Sequence, residues 1–217
     1  MSTRIGLFSD PHAAAAPVRE ALELFGRKGV DRIYCAGDIA GYGDELEATL
    51  DLIKGGQVEA IHGNHDLSYL EHPPDSDPPR LADTLRRLPA VIDTRIEACK
   101  LYLVHASPPD NCHGGLKLLD ENGRLLGGRK TEWSRRIRDL EADILIVGHT
   151  HQVFAERLGH VLVINPGSTL FNHSCAILDL PQGEVEFFPL SGKAILRSWN
   201  WGSGPLPGTA RDRYPHR

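Results

Sequence analysis

A strand–helix–strand pattern occupies residues 5–38, which read IGLFSDPHAAAAPVREALELFGRKGVDRIYCAGD. Short apolar runs stand at both ends of this stretch, and each is followed by glycine or polar residues, as is typical of buried strands. Between them Val18, Leu22 and Phe25 recur at helical spacing and predict an amphipathic helix over residues 14–28. Because parallel strands need such a crossover helix, this stretch predicts the start of an α/β fold.

The same rhythm extends over most of the chain. Apolar runs predict strands near residues 5–9, 32–36, 58–62, 100–105, 144–148, 161–165, 175–180 and 184–189. Helical spacing predicts helices near residues 14–28, 45–54 and 131–140, and a weaker helix over residues 80–88. Helices separate the early strands, whereas the strands after Val161 follow one another like hairpins. We therefore expect a mixed α/β sandwich, built as one domain over residues 1–201.

Composition and charge narrow the class of protein. Of the 217 residues, 41% are hydrophobic and 24% are charged, which is ordinary for a domain that buries a core. The formal net charge of −5 supplies no broad basic field, so neither nucleic acid nor an anionic membrane is an expected partner. The sequence shows no signal peptide, no apolar run of membrane-spanning length and no CxxC pair among its four cysteines. These features predict a cytoplasmic protein with reduced thiols.

Three segments break the regular pattern. Residues 72–79 read HPPDSDPP, and residues 107–129 are rich in proline, asparagine and glycine. Long irregular insertions in compact domains are usually functional or flexible loops, so either segment is expected to border a site. Whether the loop over residues 71–80 closes over that site stays open. Residues 202–217 are rich in glycine, proline and arginine and are predicted to form a poorly ordered tail.

Side chains that bind metals cluster at the ends of the predicted strands. The clusters are Asp10 with His12, Asp38, Asn64 with His65 and Asp66, His105, His149 with His151, and, with weaker ligand chemistry, Asn165. In a parallel α/β sheet the carboxyl ends of the strands lie along one edge, where ligands bind. A single histidine after a strand is more often a turn or core residue than a ligand, but that reading does not explain the whole set. The pattern predicts a shared metal site.

The types of ligand indicate which metals bind and how many. Imidazole, carboxylate and amide ligands without thiolate suit manganese, iron, cobalt, nickel or zinc rather than calcium or an iron–sulfur cluster. The set is too large for one ion. Two ions about 3.5–4 Å apart clamp both oxygens of an in-line phosphoryl displacement and generate hydroxide at neutral pH. We therefore expect two divalent ions, with manganese as the first choice, and a bridging carboxylate.

The order of these motifs, DxH, GD, GNHD, H and GHTH over residues 5–168, resembles the calcineurin-like metallophosphoesterase superfamily. The sequences VHASP around His105, GHTH around His149 and NPGS from Asn165 are most similar to its small bacterial and archaeal phosphodiesterase branch. The resemblance implies a four-layer αββα sandwich with mixed β-sheets flanked by helices. It also implies hydrolysis of a phosphodiester or phosphomonoester of a small phosphorylated or nucleotide-like compound by a hydroxide that lies between the ions.

The resemblance further implies a role for each candidate residue. One ion would be bound by Asp10, His12, Asp38 and His151, and the other by Asp38, Asn64, His105 and His149. Asp38 would then bridge the ions. His65 would be the general acid for the leaving group, and Asp66 either orients the ring of His65 or caps a helix.

The chain departs from the family pattern at three points. Ala13 and Ala106 stand where the family often has glycine, which bears on the geometry of both loops. The protein phosphatase branch usually has an arginine shortly after the GD motif, but residues 37–43 read GDIAGYG. The missing arginine disfavours phosphoprotein as the substrate.

Residues that contact the substrate are harder to predict. Tyr42 follows Asp38 closely and stacks on a base or shields the site, unless it only packs within its loop. Asn111, His113 and Lys117 follow His105 and reach the phosphate or the leaving group, unless their loop is only solvated.

The leading hypothesis is a two-metal phosphoesterase that prefers diesters of a small molecule. A catalytically inactive scaffold of the same fold and a DNA nuclease are the alternatives. The nuclease is poorly supported because the chain lacks interleaved basic and aromatic clusters. A homodimer is expected from base rates alone.

Overall fold

The computed structural model describes residues 2–199, in which ten strands form two five-stranded sheets and five helices flank them. The strands are β1 (Thr3–Phe8), β2 (Arg32–Cys35), β3 (Glu59–Ala60), β4 (Val91–Ile96), β5 (Cys99–Val104), β6 (Ile144–Ile146), β7 (Val153–Leu158), β8 (Val161–Pro166), β9 (Ser174–Leu180) and β10 (Glu184–Pro189). The helices are α1 (Ala15–Lys28), α2 (Leu46–Gly55), α3 (Asn64–Glu71), α4 (Pro79–Arg86) and α5 (Gly127–Arg136).

Both sheets mix parallel and antiparallel strands. The first has the order β10-β9-β1-β2-β3, in which β1, β2 and β3 are parallel and β9 runs antiparallel to both of its neighbours. The register places Leu7 of β1 beside Tyr34 of β2 on one side and Ala176 of β9 on the other. The second sheet has the order β4-β5-β6-β8-β7, with three parallel strands at its centre and an antiparallel strand at each edge.

Three apolar clusters separate four layers. Strand β9 shows the arrangement, because Ile177 belongs to the cluster under α1, α2 and α4 while its neighbour Leu178 belongs to the cluster between the sheets. The third cluster packs the second sheet against α5, which contributes Trp133. Strands buried on both faces need nearly continuous apolar sequence, which explains the unbroken runs. The predicted αββα sandwich is confirmed.

Helix α1 packs closely on β1 because Gly6 has no side chain. A Cβ atom at this position would lie 2.8 Å from the ring of Phe25, too close for any ordinary contact. The helix ends at Gly29, whose φ of 66° is the left-handed conformation that glycine adopts without strain. This crossover holds β1 and β2 parallel and sets the two loops that follow them side by side.

Several elements differ from the prediction. Strands β4 and β7 and helix α3 were not predicted, and β3 spans two residues instead of five. Strand β4 carries the charged Asp93 and Arg95, and exposed or half-buried residues fill most of it, so no long apolar run marks it. Helix α5 begins at Gly127 rather than Thr131 and ends at Arg136, since residues 137–139 form a turn. The strands after Val161 do not stay together, because β8 belongs to the second sheet and β9 and β10 to the first.

Three other predictions concern the chain as a whole. The four cysteines are free thiols, as expected. None of the helices within residues 2–199 is both long and apolar enough to cross a membrane. The predicted tail, residues 202–217, lies outside the described residues.

Candidate metal centre

Five strand ends deliver the candidate ligands to one place. Asp10 and His12 follow β1, Asp38 follows β2, Asn64 opens α3 after β3, His105 follows β5, and His149 and His151 follow β6. Hydrogen bonds join the two sheets here. The Nδ1 atom of His105 lies 2.7 Å from the carbonyl oxygen of Ala36, and the backbone N–H of His149 donates to both carboxylate oxygens of Asp10 at 3.1 Å.

These side chains converge into three overlapping groups among the described residues. The groups are Asp10 with His12 and His151, His12 with Asp38 and His65, and Asp38 with His105 and His149. Within each group one ligand atom per residue lies within 4.8 Å of the others. Asp38 and His12 each belong to two groups, so the clusters form one continuous centre rather than separate sites.

At one end of the centre, three buried side chains point their ligand atoms at one another. The Nε2 atoms of His12 and His151 are 3.1 Å apart, and Nε2 of His151 lies 3.3 Å from Oδ1 of Asp10. All three residues are at most 1% exposed. Two imidazole nitrogens and a carboxylate directed at the same small volume are a donor set suited to a divalent cation. The geometry therefore fits a metal site.

At the other end, Asp38 and Asn64 meet two further histidines. The Nε2 atom of His105 lies 3.3 Å from Oδ2 of Asp38 and 3.2 Å from Oδ1 of Asn64. The same Asn64 oxygen lies 2.8 Å from Nδ1 of His149. The amide oxygen, carboxylate and two imidazoles again fit a divalent cation. The carboxylate of Asp38 lies between this group and His12, which is the position a bridging ligand requires.

Burial and charge set the protonation of the centre. Burial alone would lower the pKa of His105, but the Asp38 carboxylate and its hydrogen bond raise it to about 9. Burial would raise the pKa of Asp38, but the facing histidines, His105 foremost, hold it below its ordinary value. Burial lowers the pKa of His12 to about 3 and that of His149 to about 4. His12 and His149 are therefore neutral imidazoles at pH 7, the form that binds metal ions.

The backbone of the candidate ligands is strained. Positive φ angles occur at Asp10 (52°), His12 (48°), Asp38 (53°), His149 (63°) and His151 (48°). The left-handed region costs residues other than glycine about 1–2 kcal/mol, and aspartate and histidine are among those that tolerate it best. Such strain gathers at functional sites, where the surrounding structure over-determines the conformation. Ala13 has a φ of 58° and so adopts the same left-handed conformation, at a position where the family often has glycine.

Two glycines let the carboxylates approach the backbone closely. A Cβ atom on Gly63 would lie 2.1 Å from Oδ1 of Asp38, and one on Gly148 would lie 2.1 Å from Oγ of Ser9 and 2.7 Å from Oδ2 of Asp10. Real side chains do not tolerate such distances. The glycines of the GNHD and GHTH motifs are thus required by the packing of the two carboxylates.

His65 and Asp66 have different environments although they are neighbours. The ring of His65 is half-buried, with its centroid 4.9 Å from that of His12 and 4.8 Å from that of Tyr42. Burial lowers the pKa of His65. Asp66 is fully buried, and its carboxylate accepts the backbone N–H groups of Gly63 at 2.8 Å and Ala40 at 2.7 Å. Burial, with the charge of Asp38, raises the pKa of Asp66 to about 7. Asp66 thus links the first turn of α3 to the loop after β2.

The four candidate substrate residues lie in two places, Tyr42 at the centre and Asn111, His113 and the exposed Lys117 in the loop after β5. Tyr42 is at the centre, where its ring contacts His12, with centroids 4.9 Å apart, as well as His65. His113 is exposed and its ring lies 6.4 Å from that of His149. The side-chain amide of Asn111 donates to Pro108 O at 3.2 Å and to Ser107 Oγ at 3.4 Å, so it stabilises its own turn.

Supporting residues at the end of β8 and in the loop after it were not predicted from the sequence. The Nδ2 atom of Asn165 donates to the carbonyl oxygen of Gly148 at 2.9 Å. The Nδ2 atom of Asn172 donates to the carbonyl oxygen of His151, also at 2.9 Å. Ser168 Oγ donates to the carbonyl oxygen of Asp10 at 2.6 Å. The NPGS motif was the one signal for this role, and Asn165, taken as a weak ligand candidate, instead braces the GHTH loop.

An aromatic stack against His151 was also missed. The ring of Phe171 stacks on His151 at 5.2 Å, and Trp199 stacks on Phe171 at 4.2 Å. The backbone N–H of Trp199 donates to the carbonyl oxygen of His151. These aromatic residues follow β8 and β10 at no regular spacing, so no local pattern in the sequence identifies them.

Comparison with known proteins identifies the family and the fold. The family model of the calcineurin-like phosphoesterase superfamily domain matches residues 3–182. The chain belongs to this superfamily. The match covers all five strand ends that carry the candidate ligands, and it confirms the resemblance seen in the motifs.

Individual relatives are distant. A phosphodiesterase of Methanocaldococcus jannaschii is 24% identical over 172 residues, covering 76% of this chain and 82% of the relative. A probable metallophosphoesterase of Methanothermobacter thermautotrophicus is 29% identical over 168 residues, covering 76% of each chain. An uncharacterized protein of M. jannaschii is 30% identical over 70 residues, which span 32% of this chain and 29% of that protein.

Solved structures share the fold. A hypothetical protein of Pyrococcus horikoshii superposes with a TM-score of 0.71 at 18% identity, covering 87% of this chain and 88% of the other. A metallophosphoesterase of Sphaerobacter thermophilus gives a TM-score of 0.67 at 21% identity, covering 87% and 88%.

Proposed function

We propose that the protein is a two-metal phosphodiesterase that acts on a small phosphorylated or nucleotide-like compound. One observation carries the proposal, namely the convergence of Asp10, His12, Asp38, Asn64, His105, His149 and His151 on one centre with Asp38 between its two ends. The preference for a diester is supported by the phosphodiesterase among the relatives that cover most of this chain. Manganese is the proposed metal, with iron, zinc, nickel and cobalt as alternatives.

Each end of the centre would hold one ion. Asp10, His12 and His151 would bind the first, Asn64, His105 and His149 the second, and Asp38 both. When bound, the ions supply hydroxide at neutral pH and neutralise the charge of the phosphate. The protein's part is to fix these ligands in a buried setting, where the charges of the site act over a low dielectric.

His65 is the proposed general acid. Its ring lies beside His12 and Tyr42 at the half-exposed side of the centre, where a substrate phosphate can reach it. Burial lowers the pKa of His65 in the free protein, so the ring is neutral at pH 7. A phosphate anion beside the ring favours its protonated form, which then donates to the leaving alkoxide. Tyr42 packs against His65 and limits its orientation.

Asp66 positions the helix that carries His65. Its carboxylate accepts backbone N–H groups from both the first turn of α3 and the loop after Asp38. These bonds hold Asn64 and His65 at a fixed distance from Asp38, and the backbone N–H of His65 donates to Oδ1 of Asp38 at 2.8 Å. The proposed role of Asp66 is therefore to position α3, which is the cap role considered for it from the sequence.

The test compares hydrolysis of bis(p-nitrophenyl) phosphate and p-nitrophenyl phosphate by protein supplied with Mn²⁺. We expect turnover of the diester, and a loss in kcat of at most about 10²-fold for His65→Asn with metal content unchanged, because p-nitrophenolate leaves readily without a proton. Asp38→Asn is expected to lose both metal and turnover. His160→Asn is the control, because His160 is exposed and its ring contacts the carbonyl oxygen of Leu140 on another part of the surface.

The alternative function is a catalytically inactive scaffold of the same fold. The scaffold hypothesis predicts that the folded protein hydrolyses neither ester with any divalent metal. A metal content near zero by elemental analysis would favour it further. The ligand set is complete in this chain, which supports the enzyme instead. A cytoplasmic location and a homodimer stay predictions.

A further inference from the structure

A cavity of about 430 Å³ lies beside the metal centre. One wall is formed by Gly41, Gly43 and Asp44 of the loop after β2 and by Leu46 at the start of α2. The other wall is the Pro-rich loop that follows α3, through His72, Ser76 and Asp77. The buried Tyr69 of α3 also lines the cavity. The volume lies in the range of small-molecule sites, about 300–1,000 Å³.

The cavity begins one helical turn from the proposed general acid. Tyr69 follows His65 by four residues on α3, so both project from the same side of the helix, about 6 Å apart along its axis. Gly41 and Gly43 line the cavity, while the ring of Tyr42 between them contacts His65. The oxygen that His65 protonates belongs to the leaving group. A leaving group that extends along α3 past Tyr42 enters this cavity.

The lining of the cavity is acidic. It contains the carboxylates of Asp44 and Asp77, and no lysine or arginine is among the residues within 2–199 that line it. The hydroxyl of Tyr69 donates to Oδ2 of Asp77 at 2.9 Å, which fixes that carboxylate at the wall. Such a lining attracts cations and hydrogen-bond donors, and it repels a second phosphate or a carboxylate.

We propose that this cavity is the subsite for the leaving alcohol, and that the alcohol carries an amine or several hydrogen-bond donors and no second anionic group. The proposal rests on the proposed phosphodiesterase function. The subsite then discriminates between diesters, because it disfavours substrates whose leaving group bears another phosphate. Asp44 and Asp77 are then the residues that determine specificity, although neither contacts the reacting phosphate.

Binding of a probe alcohol tests the cavity without any turnover. Tyramine is a cationic phenol, and 4-ethylphenol is its neutral counterpart of nearly the same shape. With the full-length protein, we expect Asp44→Asn and Asp77→Asn each to weaken tyramine binding about twofold to fivefold and to leave 4-ethylphenol unchanged. Asp75→Asn is the matched control, because Asp75 lies in the same loop, is exposed, and does not line this cavity. Equal tyramine affinity in the wild type and both cavity variants would overturn the proposal, as would an equal loss in Asp75→Asn.

Turnover provides the second readout, with Mn²⁺-replete protein. The substrates are the methyl phosphodiesters of tyramine and of 3-(4-hydroxyphenyl)propionate, whose leaving phenols are matched and differ in the sign of a distant charge. We expect wild-type kcat/KM to favour the tyramine ester, and the ratio to fall about twofold to fivefold in each cavity variant. Equal kcat/KM for both esters in every variant refutes the subsite and leaves the phosphodiesterase standing. Turnover of no diester refutes the enzyme, while the tyramine binding result still decides what the cavity accepts.

Discussion

Replacing Gly63 by alanine is the sharpest structural test of the metal centre. The added Cβ would lie 2.1 Å from Oδ1 of Asp38, 2.6 Å from its backbone nitrogen and 2.7 Å from Cε1 of His105. An ordinary contact begins near 3.4 Å, so the carboxylate has to retreat by 3.4 − 2.1 = 1.3 Å. Asp38 is 2% exposed, and its Oδ1 accepts the backbone N–H of His65, so the retreat breaks that hydrogen bond.

The displacement should affect metal binding more than folding. Overpacking of this size costs about 1–3 kcal/mol of stability, which an ordinary domain survives. The Asp38 carboxylate, however, leaves the place where both groups of candidate ligands meet. We expect the affinity for Mn²⁺ to fall by at least about tenfold to a hundredfold, the loss usual for misplaced ligand support.

The assay is calorimetric titration of metal-free Gly63→Ala with Mn²⁺, alongside its thermal unfolding. Gly26→Ala is the matched control. Gly26 lies inside α1 with no atom within 4 Å of its added Cβ, so this change should stabilise the helix by about 0.5–1 kcal/mol and leave metal affinity unchanged. Folded Gly63→Ala protein with wild-type affinity for two ions would show that Asp38 is not a ligand of the centre.

Four further predictions concern protons and supporting bonds. His105 has a pKa of about 9 and must lose its proton to bind a metal. The apparent metal affinity should therefore rise about tenfold from pH 7 to pH 8. Calorimetry in buffers of different ionisation enthalpy should detect the release of one proton per protein on metal binding. The raised pKa of His105 also affects the stability of the metal-free protein. The stability contributed by the His105–Asp38 pair is complete below pH 6.5 and is lost as the pH rises through about 9. A free energy of unfolding that rises between pH 6.5 and 9 would contradict this pairing. Asp66→Asn offers one acceptor to two backbone donors and should cost about 1–3 kcal/mol in urea unfolding. Asn172→Ala removes donors to His151 and Leu196 and an acceptor for the N–H of Ser168, so we expect a loss of about 2–4 kcal/mol, whereas exposed Asn122→Ala should change stability by less than about 0.5 kcal/mol.

Strands buried on both faces were readily predicted from the sequence. Strands such as β1 and β9 contribute to two cores and therefore carry unbroken apolar runs. Of the four edge strands, β4 and β7 were missed. In β4 Asp93 and Arg95 alternate with half-buried residues, and β7 ends in Glu156 and Arg157 before Leu158, so hydrophobicity alone does not mark either one. Helix α3 was missed because the metal-binding GNHD motif occupies its start and lowers its apolar content.

The convergence of the candidate ligands was predictable, and that of their supports was not, for a physical reason. A ligand must be one of a few residue types and must follow a strand, which leaves a trace in the local sequence. A support such as Asn172 or Phe171 needs only to reach His151 in space. Ordinary polar and aromatic residues satisfy that requirement at any sequence distance. The acidic cavity was not predicted for the same reason. Its walls come from loops about thirty residues apart in sequence, so no local pattern marks them.

The supports explain how the centre keeps so many ligands in strained backbone. His151, with φ of 48°, has its carbonyl oxygen held by both Asn172 and the N–H of Trp199, and its ring rests on Phe171. Asp10, with φ of 52°, has its carbonyl oxygen held by Ser168. Each strained residue costs about 1–2 kcal/mol, and each such hydrogen bond returns about 0.5–1.5 kcal/mol. Strain and support are therefore of similar size, so the ligands stay in place without a metal only while the loops after β8 and β10 are docked. It follows that a substitution in those loops should loosen metal binding before it unfolds the protein.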